Sequence, residues 1–167
     1  MNDILSTVDK PHLEFVFSVT LQFTRVQTIL PHPDGGMRSA VYVDGGTVEG
    51  PMLNGRAVPN SGGDYAYFRP DDTAVFDARY MLETHNGTPI LVTNRGYLWG
   101  RKPDVMARIR KWAFEDGPPV PHEEYYLRSH PTFEVAKGEY DWLTRHVIIG
   151  VGERLKDGNR LHYYRLT

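Results

Sequence analysis

The chain contains no cysteine, which excludes disulfides and thiolate metal sites and leaves the redox compartment open. Charge of either sign is not in excess. Nineteen Lys and Arg face 21 Asp and Glu, for a formal net charge of −2. That balance supplies no basic field to hold nucleic acid or an anionic membrane. No apolar run approaches the roughly 20 residues of a membrane span. The opening "MNDILSTVDKPHLEF" has acidic residues and no apolar core of signal-peptide length, so a cytoplasmic protein is expected. There is no G-x-S-x-G nucleophile elbow. The seven histidines form no H-x-H or H-x-x-x-H pair. His146 and His162 could meet across a final hairpin, but two imidazoles without a third ligand make a weak site. Neither a metal nor a cofactor is called for.

What is present is an ordinary globular composition, 40% apolar and 24% charged over 167 residues, read as one domain spanning 1–167. Leu13, Phe15, Phe17, Val19, Leu21 and Phe23 alternate with polar residues (Val16 is the exception), which predicts a strand with one buried face. "ILPHPDGGMRS" is a turn-rich loop, and "SAVYVD" a short strand. The glycine-rich "GGTVEGPMLNGRAVPNSGGDY" reads as short strands with bulges and tight turns. "AVFDARYMLET" and "PILVTNRG" form a hairpin about Asn86-Gly87. The one helix follows Pro103, where "DVMARIRKWAF" sets Val105, Ile109, Trp112 and Met106 on one side. "EYYLRSHPTFEV" is extended, "KGEYDWL" is a tight or single helical turn, and two last strands flank "KDGN". The class is all-β, an antiparallel up-and-down barrel closed by its terminal strands.

"HVIIGVGERLKDG" looks like a dinucleotide-binding loop, but such a loop needs a helix N-terminus directly after its glycines. Here the third glycine is absent and a turn at Asp157-Gly158 arrives where that helix should run. Gly150 and Gly152 therefore sit inside a hairpin strand, where a missing side chain lets a neighbour approach.

Five stretches in order resemble the DUF3237 (UPF0311) family of bacterial and fungal domains. They are "PHLEFVFSVTLQF", "GGTVEGPMLNGRAVPNSGGDY", "DARYMLETHNGTPILVTNRG", "YYLRSHPTFEV" and "YDWLTRHVIIGVGERLKDG". Two positions depart from the family pattern: His85 replaces an acid before the "NG" turn, and Thr144 an asparagine after "WL". The resemblance implies a small lipocalin-like barrel that self-associates into a homo-oligomer. Where it suggests an activity, that activity is cofactor-free chemistry on aromatic or secondary metabolites, decarboxylation included.

A small barrel offers its lumen or mouth as a site. "DARYMLE" puts Asp77, Arg79 and Glu83 on one face and Ala78, Tyr80 and Leu82 on the other. The first face is a surface charge ladder or a catalytic one at about even odds, and the family pattern favours function for Arg79 and Tyr80. "YYLRSHPTFE" lines up Tyr126, Arg128 and His130, able to donate to an anion, grip a carboxylate and move a proton. The alternative is that Tyr126 and His130 border the barrel end and Arg128 pairs with Glu134 or Asp141. Asp64, Asn94, Phe133, Glu134, Trp142 and Arg145 are the candidate ligand-binding residues. Asp64 equally fits ordering its own turn, and capping a turn is the simpler role for Arg145.

Three functions fit. The first is a cofactor-independent acid–base enzyme acting on a small aromatic or phenolic carboxylate in the lumen, with decarboxylation as the single best guess. Cyclisation, isomerisation or dehydration would use the same groups. The second is a carrier or sensor for an apolar metabolite. The third is a structural barrel filled by its own side chains. The first is preferred, because its Arg, Tyr and His positions exceed what a passive apolar barrel needs. The expected partner is a small aromatic molecule, with no nucleic acid and no membrane.

Overall fold

A computed structural model describes residues 10–167; the first nine residues of the stretch weighed as a leader lie outside them. Ten strands and one helix follow one another as β1 (Leu13–Ile29), β2 (Met37–Glu49), β3 (Gly55–Ala57), β4 (Gly63–Asp64), β5 (Tyr67–Phe68), β6 (Ala74–Thr84), β7 (Pro89–Gly100), α1 (Val105–Phe114), β8 (Tyr125–Val135), β9 (Ile148–Leu155) and β10 (Gly158–Leu166). The short β3, β4 and β5 all lie between β2 and β6 and act as one interrupted stave. Each stave pairs antiparallel with its sequence neighbours, and β1 pairs with both β2 and β10. The result is a closed, eight-staved meander barrel with, among the described residues, a single α-helix. No helix among the described residues is long and apolar enough to cross a membrane.

Period-two sequence makes these staves, and bulges modify them. On β1 the register against β10 shifts between Phe15 and Phe17, so Val16 and Phe17 are both buried. That bulge corrects the simple alternation: Leu13 and Phe15, expected on the buried face, are exposed. The helix forms where expected, with Val105, Met106 and Ile109 buried and Trp112 packed beside them. "SAVYVD" is longer than read, because β2 continues through Gly45 and Gly46 to Glu49. A single 3₁₀ turn, Asp141–Thr144, follows β8.

Two clusters fill the barrel unequally. Phe17, Phe133 and Tyr163 meet at ring separations of 5.2–6.0 Å in the larger one, with Leu53, Ile90 and Leu143 around them. That cluster plugs one end. At the other, α1 lays Val105, Met106 and Ile109 against Phe76, Leu98 and Leu127. The inner face of β9 is Ile148, Gly150, Gly152 and Arg154. Its glycines leave the space that neighbours occupy: a Cβ on Gly152 would lie 2.5 Å from Leu127 Cγ, and one on Gly150 2.2 Å from Ser129 Oγ. Overpacking of this kind costs about 1–3 kcal/mol, or about 2–4 °C of melting temperature per kcal/mol in a domain of this size. Gly152→Ala is accordingly expected to lower the thermal midpoint by several degrees without loss of the β-sheet circular-dichroism signal.

Candidate functional site

Between the plug and the helix lies a cavity of about 360 Å³. Its mouth is framed by Thr24–Val26 of β1, Arg110 and Phe114 of α1, and the Lys156–Asn159 turn. Lys156 Nζ reaches Asp116 Oδ1 at 2.7 Å, tying that turn to the end of the helix. Most of the wall is apolar, and its polar groups come from several staves.

Asp64 enters from the interrupted stave. Tyr65 N–H donates to Asp77 C=O, and Asp64 Oδ1 accepts the Asp77 N–H at 2.9 Å. A side chain thus completes a ladder that the backbone leaves open, and the carboxyl is fixed against the lumen. Burial drives its pKa up to about 7, opposed by the Asp77 amide and by the charges of Arg154 and Arg38.

Arg154 enters from β9, which is four staves from Asp64 by either route round the barrel, so the two groups line opposite walls. Among the described residues no ion pair within 4.0 Å joins them; each feels the other's charge across the lumen. Arg154 Nη1 donates to Asn159 Oδ1 at 2.7 Å, its backbone N–H donates to Tyr125 Oη at 2.8 Å, and its Nε is buried without a partner. Burial pulls its pKa down, against the pull of Tyr125 and Asp64, and a guanidinium stays protonated regardless.

Tyr80, Asn94 and Tyr163 form a third polar group on the closed-end side. Asn94 Nδ2 donates to Tyr163 Oη at 3.1 Å. Burial pushes the Tyr80 phenol to about 12 and Tyr163 well above its usual value, so both stay protonated. Each also raises or lowers the other through their neighbouring hydroxyls, although that of Tyr80 makes no hydrogen bond of normal geometry.

The sequence candidates divide between the inside and the outside. Asp64, Tyr80 and Asn94 line the cavity. Tyr126, Arg128 and His130 do share a face, but it is the outer one, because the odd-numbered Tyr125, Leu127, Ser129 and Phe133 of β8 take the interior. Tyr126 stacks on Trp99 at 5.2 Å, and Arg128 lies over the Tyr126 ring. Arg79 and Glu83 are likewise outside: Arg79 reaches Glu134 at 3.8 Å and Glu83 holds Arg56 at 2.8 Å. Glu134 is therefore a surface residue whose partner is Arg79, neither Arg128 nor the lumen. Phe133 is buried in the plug, and Trp142 packs against that plug from the 3₁₀ turn. Arg145 pairs with Asp141 at 2.6 Å across that turn, the simpler of its two readings. His146 bonds Trp142 C=O and His162 bonds Ser18, so the two do not meet. Among the described residues no three His, Cys, Asp or Glu come together as metal ligands. Arg154, Tyr125 and Tyr163 were not singled out in the sequence. Arg154 was legible in one respect, since it alternates with Gly150 and Gly152.

Fold and lumen define the class first: a closed antiparallel barrel with a ligand-sized cavity of mixed polarity. Residues 11–166 match the family described as "Protein of unknown function (DUF3237)", and the chain belongs to that family. A UPF0311 protein of Rhodopseudomonas palustris (strain TIE-1) is 30% identical over 149 residues, covering 88% of this chain and 92% of that protein. The crystal structure of a protein with unknown function from Clostridium acetobutylicum has a TM-score of 0.83 at 26% identity, covering 96% and 99% of the two chains. An enzyme from Penicillium herquei shares the fold at a TM-score of 0.69 and 22% identity, covering 96% and 97%.

A buried carboxyl whose pKa is raised destabilises the fold as pH climbs. Below about 4 both states are protonated and nothing is lost. Between there and about 7 the unfolded chain ionises while the folded Asp64 does not, and stability falls. Asp64→Asn keeps an acceptor for the Asp77 amide and removes this penalty. Its thermal midpoint is expected above wild type at pH 8, with the gap closing by pH 4; a gap independent of pH would contradict the assignment.

Proposed function

We propose that the protein is an acid–base enzyme acting on a small, largely apolar acid held in the barrel lumen. The observation that carries this is Asp64, a carboxyl raised to about pKa 7 on the cavity wall, facing the half-buried Arg154 across an open space. At neutral pH such a group is present in both forms, and one positioned acid or base contributes about 10²–10⁴-fold. A substrate carboxylate fits the space beside Arg154, whose charge no carboxylate of the chain neutralises by direct contact among the described residues. Adding that negative charge near Asp64 favours its protonated form, which makes it a proton donor. The fold also serves an enzyme in Penicillium herquei, which supports catalysis in a barrel of this kind.

Loss of CO2 is the first reaction to try. For a para-hydroxylated unsaturated acid, the phenol gives its proton to a water in the lumen and Asp64 protonates the alkene carbon that bears the carboxylate. The quinone methide so formed breaks its bond to CO2, that electron pair restores the alkene and the phenolate, and the phenolate takes its proton back from water. Asp64 regains its proton from water. Isomerisation, cyclisation and dehydration would draw on the same two residues. The roles first read for Arg128 and His130 pass here to Arg154 and Asp64.

Mass spectrometry of purified protein against a panel of aromatic and unsaturated acids tests this. Turnover is expected to drop at least a hundredfold in Asp64→Asn, to lose substrate affinity in Arg154→Met, and to persist in the outer-face variant Arg128→Ala. The rate is expected to fall as pH rises through about 7. Tight binding without any product would make the barrel a carrier instead.

A further inference from the structure

Asp64 and Arg154 do not account for the closed-end side of the lumen. Asp64 is in register with Ala78 on β6, which pairs in turn with Asn94 on β7, and Tyr80 is the next position on that face of β6 toward the plug. Tyr80 is fully buried, and its hydroxyl lies beside that of Tyr163 without making a hydrogen bond of normal geometry. Asn94, 1% exposed, commits Nδ2 to Tyr163 and leaves Oδ1 unpaired. Ser129, 5% exposed, has an unpaired hydroxyl on the adjacent stave. Both Tyr80 and Asn94 line the cavity. A buried polar atom without a partner costs about 1–3 kcal/mol, and native interiors rarely carry several together. Phenylalanine at position 80 would fill the same space without that cost, as Phe17 and Phe133 do in the plug below. Stability therefore gives no reason for this layer.

We propose that it is a recognition subsite for a neutral hydroxyl group on the ligand, with Tyr80 donating to the ligand oxygen and Asn94 Oδ1 accepting the ligand's proton. The complementarity is chemical. A carbonyl oxygen only accepts and would leave Oδ1 unpaired, and an ammonium only donates and would leave the phenol's own O–H without an acceptor. A carboxylate would be desolvated here with its cation, Arg154, toward the mouth. A hydroxyl meets both groups. The subsite rests on the lumen being the ligand site and deepens that reading: together the two ends select a small hydroxy acid, with its carboxylate outward at Arg154 and its hydroxyl inward. A site that pairs a substrate hydroxyl rejects the analogue lacking it, because its own polar atoms are then left unpaired.

The test is calorimetric binding at pH 7 of 4-hydroxycinnamate, cinnamate and 4-methoxycinnamate to wild type and to Tyr80→Phe. The hydroxy acid is expected to bind wild type at least tenfold more tightly than either analogue, with the preference falling below twofold in Tyr80→Phe. The variant's thermal midpoint is expected to equal or exceed that of wild type, since it loses only an unpaired oxygen. Equal binding of the three by wild type overturns the subsite, as does a preference that survives in Tyr80→Phe. A lowered midpoint in the variant also overturns it, by showing the hydroxyl to be structural. If none of the acids binds, it is the carboxylate reading of the mouth that fails. The inner layer is then decided by 4-ethylphenol against ethylbenzene under the same criterion, where no preference for the phenol overturns it.

Discussion

Closure of the sheet is the constraint on which everything else depends. β1 is long enough to pair with β10 over its first half and with β2 over most of its length, so one strand joins the two ends of the meander. A closed sheet has no free edge to protect, and it gives every stave a definite inside. Closure alone does not give a cavity, since a barrel of this size can fill itself with side chains. Here the side chains fill one end, and the cavity lies between that plug and the helix. Gly150 and Gly152 put no side chain where Tyr163, Ser129, Leu127 and Leu161 already sit, and Arg154 follows them onto the same inner face, where it lines the cavity. One strand therefore carries both close packing around its glycines and the lumen's cation.

The electrostatics of the lumen follow from this geometry. Asp64 and Arg154 lie on opposite walls, so neither neutralises the other by contact, and each is perturbed chiefly by loss of water. Contact would have lowered the Asp64 pKa and fixed it as a carboxylate. Separation keeps it near neutrality, where a proton can go either way. Toward the plug, the same desolvation holds Tyr80 and Tyr163 as phenols. Water exclusion thus leaves one titrating group facing a permanent cation on the opposite wall, with a pair of permanent donors toward the plug, an asymmetry that suits an asymmetric ligand.

The barrel, its single helix and the hairpin at Asn86-Gly87 were legible because local periodicity and turn chemistry write them directly into the chain. So was the failure of the dinucleotide reading at Gly150 and Gly152. The site was less legible. On β8 the alternation correctly grouped Tyr126, Arg128 and His130, yet it carried no sign to say which group faces in. Tyr125, Leu127, Ser129 and Phe133 take the interior because they bury more apolar surface there. On β1 the bulge at Val16 reverses the face of Leu13 and Phe15, and bulges are set by the partner strand as much as by the residue itself.

By itself the sequence determined the class of fold, the positions of its turns and the composition of each strand face. These depend on residues within a few places of one another. Only the tertiary structure decided that Asp64 and Arg154 face each other, that Tyr80 and Asn94 both adjoin Tyr163, and that the arginines on the outer faces of the strands meet surface acids. Those relations join staves up to half a barrel apart. They are fixed by the register of closure, a property of the whole sheet that no local pattern carries.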